Sequence, residues 1–100
     1  MKACINNKGE CYRCGRIGQT ERHHIFGGPN RKNSEKYGLM VYLCHDCHNE
    51  PPAGAHFSKE TADWLHRIGQ TAFEVERWKA GATWEEARAE FMEIFGKNYL

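Results

Sequence analysis

Cys44-His45-Asp46-Cys47-His48 sets two thiols, two imidazoles and a carboxylate into five consecutive positions, directly after Leu39-Met40-Val41-Tyr42-Leu43. A second Cys-x-x-Cys pair, Cys11-Tyr12-Arg13-Cys14, lies upstream, and the doublet His23-His24 falls between the pairs. A gap of two residues lets both sulfurs of a pair reach one ion, and zinc takes four soft ligands in a tetrahedron. Cys11, Cys14, Cys44 and Cys47 supply that set, which points to a closed, structural zinc site tying the front of the chain to the end of a strand. Disulfides would use the same residues. The start, Met1-Lys2-Ala3-Cys4-Ile5, lacks the apolar core of a secretory leader, which favours metal over disulfide. Cys4 is then the odd thiol and reads as a bystander.

The sulfur site needs none of the six histidines. Neighbouring residues of a strand point to opposite faces, so His23 and His24 should have different neighbours and different tasks. Three neutral imidazoles on one divalent cation leave coordination positions open, the pattern of a catalytic metal, and a fourth histidine titrates near neutrality and can serve as a base. His23, His24, His48 and His56 are the four candidates. His45 lies inside the knuckle and reads as an outer-sphere or solvent-facing group. His66, on a long helix, reads as an exposed polar residue.

The elements that must position these groups follow from pattern. Glu21 to Phe26 reads as a first strand, ended by Gly27-Gly28-Pro29, and Tyr37 to Leu43 as a second. Asn30 to Lys36 reads as a polar loop between them. Gly15 is expected to take the positive φ of a tight metal-binding loop. A short helix after Cys44 is cut off by Pro51-Pro52, giving a strand, strand, helix order with ligands at the joints. Ser58 is a candidate N-cap for a helix with Ala62, Leu65, Ile68, Gly69, Ala72 and Val75 on one apolar stripe, closed by Gly81. Thr83 and Glu86 form a capping box for a second helix carrying Trp84, Ala87, Phe91, Ile94 and Phe95, stopped near Gly96. The expected fold class is α+β: a ββα-metal unit over residues 1–57, stapled by a Cys4 zinc site, with two C-terminal helices over 58–100 packed on it as one domain.

Cys-x-x-Cys, a short gap, His-His-Ile, and a strand running into Leu-Cys-x-x-Cys-His resemble the HNH endonuclease family, also called His-Me finger or ββα-metal nucleases. The resemblance covers roughly residues 11–56 and implies two antiparallel strands and a helix around one divalent metal. It implies His24 as the general base that activates water, with His23, His48 and His56 as metal ligands, and a structural zinc on the paired cysteines. The family's base-orienting asparagine commonly begins the second strand. Tyr37-Gly38-Leu39 has none, and Asn33 in the preceding segment is the residue preferred for that role. The implied activity is hydrolysis of DNA phosphodiester bonds with weak sequence preference, using Mg²⁺, Mn²⁺, Ni²⁺ or Zn²⁺. The Gly27–Arg31 loop and the Phe95–Leu100 tail look like small phage-encoded members, which implies the host cytoplasm and a phage recombination or packaging protein as a candidate partner.

Charge adds little by itself, since the formal net charge is +1. Residues 1–50 are weakly basic and 51–100 net acidic, and Arg22, Arg31, Lys32 and Lys36 lie near the histidines as candidate phosphate contacts. No apolar run reaches the roughly 18 residues of a membrane span. The rival reading is a non-catalytic, zinc-stabilised DNA- or protein-binding module. A further one has Trp64, Trp78 and Trp84 of the helical tail docking a partner.

Overall fold

The structure is a computed structural model that describes residues 2–100. Its elements are β1 (Glu21–His24), a 3-10 turn (Gly28–Asn30), α1 (Arg31–Tyr37), β2 (Met40–Leu43), α2 (His45–Asn49), α3 (Lys59–Lys79) and α4 (Trp84–Phe95). The two strands pair antiparallel with Glu21 opposite Leu43 and His24 opposite Met40. This is an α+β fold with four clustered cysteines at the end of the hairpin, and the two long helices follow it.

Three details depart from the pattern expected of the sequence. The strands are shorter than Glu21–Phe26 and Tyr37–Leu43, and the segment read as a loop over Asn30–Lys36 is mostly helix α1. Ser34 explains both. Its hydroxyl accepts from the Phe26 amide at 3.0 Å and donates to the Phe26 carbonyl at 2.8 Å, so Phe26 spends its backbone groups on α1 instead of on β2. Gly38, at φ 71°, then ends the helix in the left-handed conformation that glycine adopts without strain.

The third departure concerns α3. Ser58 caps it as expected, its hydroxyl accepting from the Thr61 amide at 3.1 Å, and Thr83 with Glu86 forms the capping box of α4. The buried stripe of α3, however, is Thr61, Leu65, Gly69, Gln70, Phe73 and Glu74, while Ala62, Ile68, Ala72 and Val75 are only half-buried. Gly69 sets this rotation. A Cβ there would stand 2.7 Å from Phe26 Cε2 and 2.9 Å from Ile25 Cγ2, so the bare backbone admits both side chains. The polar members of the stripe are paired. Gln70 donates to Glu74 at 2.7 Å and to Asn98 at 2.8 Å, and accepts from the Tyr99 amide at 2.7 Å, which fastens the chain's end onto α3.

One core serves the whole chain. Phe26, two residues past β1, sits 5.5 Å from Phe91 and 4.7 Å from Phe95 between ring centroids, and the same cluster contains Leu43, Cys44, Leu65 and Phe73. His66 belongs to its edge, contrary to an exposed role. It stacks on Phe26 at 5.3 Å and leans on Tyr99 at 4.7 Å, because an imidazole on the α3 flank is flat enough to cover an aromatic core.

Candidate metal centres and the strand between them

The knuckle at Cys11 is a loop closed by backbone bonds. Cys11 donates to Arg16 O at 2.9 Å, Gly15 donates to Cys11 O at 2.9 Å, and the Cys14 amide points at Cys11 Sγ at 3.5 Å. Gly15 has φ 78°, as the loop requires. Cys44 and Cys47 come from the end of β2 and the first turn of α2. The four sulfurs lie within 4.8 Å of one another, with Cys14 Sγ 3.7 Å from Cys44 Sγ. Sulfurs held at about 2.3 Å around a tetrahedral zinc stand about 3.8 Å apart, so the donor set fits such an ion.

Thiol electrostatics agree. Burial, with the other thiols around it, pushes Cys47 up to about 12, and burial pushes Cys44 up as well. Burial acts on Cys11 too, but amide hydrogen bonds from Cys14, Cys44 and Arg13 outweigh it and bring the thiol down to about 6. Crowded sulfurs resist carrying charge together, and a cation among them removes that resistance.

The histidines form a second cluster beside the first. His23, His48 and His56 offer ring nitrogens that all lie within 4.8 Å of one another. His48 Nε2 and His56 Nε2 are 2.9 Å apart, close to the spacing of about 3.0 Å between neighbouring ligands at about 90° and about 2.1 Å from one octahedral metal, and shorter than the spacing of about 3.4 Å at a tetrahedral one. His23 is buried, and burial, reinforced by His48 and His56, pushes its pKa down to about 3. It is therefore a neutral, ligand-ready imidazole at physiological pH. Burial also lowers His56, with His48 adding to the effect.

His56 reaches the cluster despite its distance from His48 in sequence. The Ala55 amide donates to Cys47 O at 2.8 Å and the His56 amide to His48 O at 3.2 Å, which folds the segment after α2 back over it. Gly54 permits the fold, since a Cβ there would meet Glu50 O at 2.6 Å.

Glu21 was not singled out by the sequence, although the strand period gave a signal. Two residues before His23, it shares that face of β1. Its carboxylate accepts from His48 Nδ1 at 2.9 Å and from Asn49 at 2.8 Å, and its second oxygen lies 3.1 Å from His45 Nδ1. Hydrogen bonds from His48 first and His45 next hold Glu21 down at about 2. With Nδ1 engaged, His48 turns Nε2 toward the cluster, the arrangement that commonly orients metal-bound histidine. His45 itself sits between Glu21 and, at 2.9 Å, Glu50, and these two carboxylates raise its pKa. It is not in the three-histidine cluster.

His24 points to the other face of β1. Its Nε2 lies 3.0 Å from Glu35 Oε1, and that hydrogen bond is the main influence lowering the Glu35 carboxyl. Asn33, the residue expected to orient His24, instead donates to Asn30 Oδ1 at 3.2 Å. The reason is helical geometry: once residues 31–37 coil, Glu35 and Asn33 project in different directions. No spacing rule marked Glu35, because the segment reads as a loop. Arg31, Lys32 and Lys36 are exposed on α1 and Arg22 is exposed on β1, with Arg31 and Arg22 close enough to help hold Glu35 ionised.

Family models, curated proteins and solved structures were all compared with this chain, and none matches it. Among the described residues no helix is long and apolar enough to cross a membrane.

Proposed function

We propose that the chain is a metal-dependent DNA endonuclease of the HNH kind, with His24 as general base and His23, His48 and His56 as ligands of one divalent cation. The observation that carries this reading is the convergence of three imidazoles, His23, His48 and His56, to ligand distance of one another, with His23 directly next in sequence to an imidazole paired with a carboxylate. A cation such as Mg²⁺, Mn²⁺, Ni²⁺ or Zn²⁺ held by the three would act as a Lewis acid toward phosphate oxygen. Zinc is the ion proposed for the cysteines, where four sulfurs leave no open position.

The chain's own residues do the rest. Glu35 accepts the Nε2 proton of His24, which fixes the tautomer and leaves the Nδ1 lone pair to receive a proton. Water gives that proton to Nδ1 as its oxygen attacks phosphorus, and the bond from phosphorus to the departing sugar oxygen breaks in line. Arg22, Arg31, Lys32 and Lys36 are the proposed phosphate contacts, on the same two elements as the His24–Glu35 pair. Nicking of supercoiled plasmid, run with and without each added cation, tests the reading. Cation-dependent conversion to open circles supports it; none with any cation sinks it.

A specific observation favours a second reading, a binding module that docks a protein. Trp78 and Trp84 stack at 5.4 Å with planes 4° apart and remain about half exposed at the turn between α3 and α4. Removing the tail is a poor test of it, since Phe73, Phe91 and Phe95 belong to the common core. Replacing Trp78 and Trp84 by serine is the better one.

A further inference from the structure

Two hollows of about 400 and 420 Å³ abut along the flank of α3, and Trp64 and Arg67 line both. The first is polar, completed by Arg13 from the Cys11 knuckle together with Glu60 and Thr61. The second is apolar, with Tyr12, Ile5 and Ile68 among its walls. Trp64 is half-buried, and its ring is steadied by Tyr12 at 5.8 Å. A third hollow of about 230 Å³ adjoins Arg67 and brings Lys59, Lys97 and Tyr99 to the same flank, with Asp63 ion-paired to Lys59.

We infer that this flank is a subsite for single-stranded polynucleotide, with an unpaired base against Trp64 and backbone phosphates on Arg13, Arg67 and Lys97. The inference rests on the nuclease reading for its biological sense, while most of the residues that support it lie on α3 and the Cys11 knuckle. Arg13 and Arg67 share the first hollow with the steadied Trp64 ring against the single acid Glu60, and Lys97 adds a cation on the far side of Arg67, where Lys59 is paired with Asp63. A groove that tracks phosphates beside a ring that stacks bases is what unpaired strands require, and duplex bases cannot reach such a ring. α3 begins three residues after His56, and the flank from Lys59 to Arg67 spans about 12 Å of that helix. An acidic peptide is the competing occupant, and it would use the arginines without needing the ring.

The test is binding without cleavage, on full-length zinc-loaded protein with no other cation added. The probes are fluorescent oligothymidylate and oligouridylate of about 12 nucleotides, within the usual site size of about 4–16, with a duplex of the same length and poly-glutamate alongside. Expected are tighter binding of the single strands than of the duplex, a Kd at least tenfold weaker in R13A/R67A, and a salt slope shallower by about 1.4, for two lost phosphate contacts at about 0.7 each. W64F should weaken binding several-fold. Unequal affinity for the deoxy and ribo oligomers would name the physiological strand and support the subsite. Unchanged single-strand binding in R13A/R67A, equal loss on duplex, or poly-glutamate bound more tightly than oligothymidylate overturns it. Plasmid nicking lost in H24A with oligomer binding intact would leave both ideas standing, whereas nicking absent from the wild-type chain removes only the nuclease.

Discussion

His24 Nε2 and Glu35 Oε1 lie 3.0 Å apart, across the gap between β1 and α1. In the proposed chemistry this contact selects which nitrogen of the base is free, so Glu35→Gln should lower the nicking rate by about 10–100-fold, less than the roughly 10²–10⁴-fold that general-base assistance itself supplies, with substrate affinity little changed. Asn33→Ala should leave the rate within about twofold, because Asn33 faces Asn30. Equal losses in the two variants would contradict the assignment. Steady-state nicking kinetics read both.

Glu21 should matter through His48. Removing its charge in Glu21→Gln loosens the grip on Nδ1, and outer hydrogen-bond partners of this kind typically contribute about 10–100-fold to metal affinity. Calorimetric titration of Ni²⁺ or Mn²⁺ into zinc-loaded protein should show that weakening with the cysteine-bound zinc retained. Unchanged affinity would mean that the His48 ring is oriented by packing alone.

Cys47→Ser should remove the ion at the sulfur cluster and, with it, cooperative unfolding. Structural zinc contributes about 10–16 kcal/mol of binding free energy at neutral pH, and such energy is folding energy. Elemental analysis should give about one zinc per wild-type chain and none in the variant. A zinc-free variant that still melts with a sharp transition would show the aromatic core sufficing by itself.

Gly69→Ala adds a methyl group where Phe26 and Ile25 already stand within 2.9 Å. Crowding of that order costs about 1–3 kcal/mol, against a gain of about 1 kcal/mol in helix propensity. Net destabilisation by denaturant titration is expected. A more stable variant would contradict the packing described between α3 and the end of β1.

The histidines should separate on pH titration by NMR in protein without added divalent cation. His23, held down to about 3 by burial, should remain neutral well below pH 5, whereas His45, raised by Glu21 and Glu50, should titrate above the usual value. The signs for stability are opposite. A lowered His23 costs nothing above its unfolded value of about 6.5 and destabilises progressively as pH falls from there toward about 3, because the unfolded chain takes the proton first. A raised His45 contributes below that unfolded value and loses its contribution as pH rises through the folded one. His23 titrating near 6.5 would place it outside the buried cluster.

Sequence spacing was most informative where chemistry forces spacing. Cys-x-x-Cys twice identified the sulfur cluster, and strand alternation correctly separated His23 from His24. It was least informative where a tertiary contact decides. Ser34 claims the backbone of Phe26 and turns an apparent loop into α1, which hides Glu35 from any spacing rule. His56 was expected in the cluster from the resemblance and is found there, but its place beside His48 depends on two backbone bonds and the missing Cβ of Gly54, which spacing does not show. On α3, the stripe read from periodicity is rotated because Gly69 admits Phe26 and Ile25.

The most direct test of the central claim is the cation-dependent nicking rate of His24→Ala, measured beside the wild type at equal zinc content and equal folded fraction. A fall of about 10²-fold or more, with divalent-cation affinity at the three histidines unchanged, is the predicted result. Nicking by His24→Ala at the wild-type rate would contradict a base at that position.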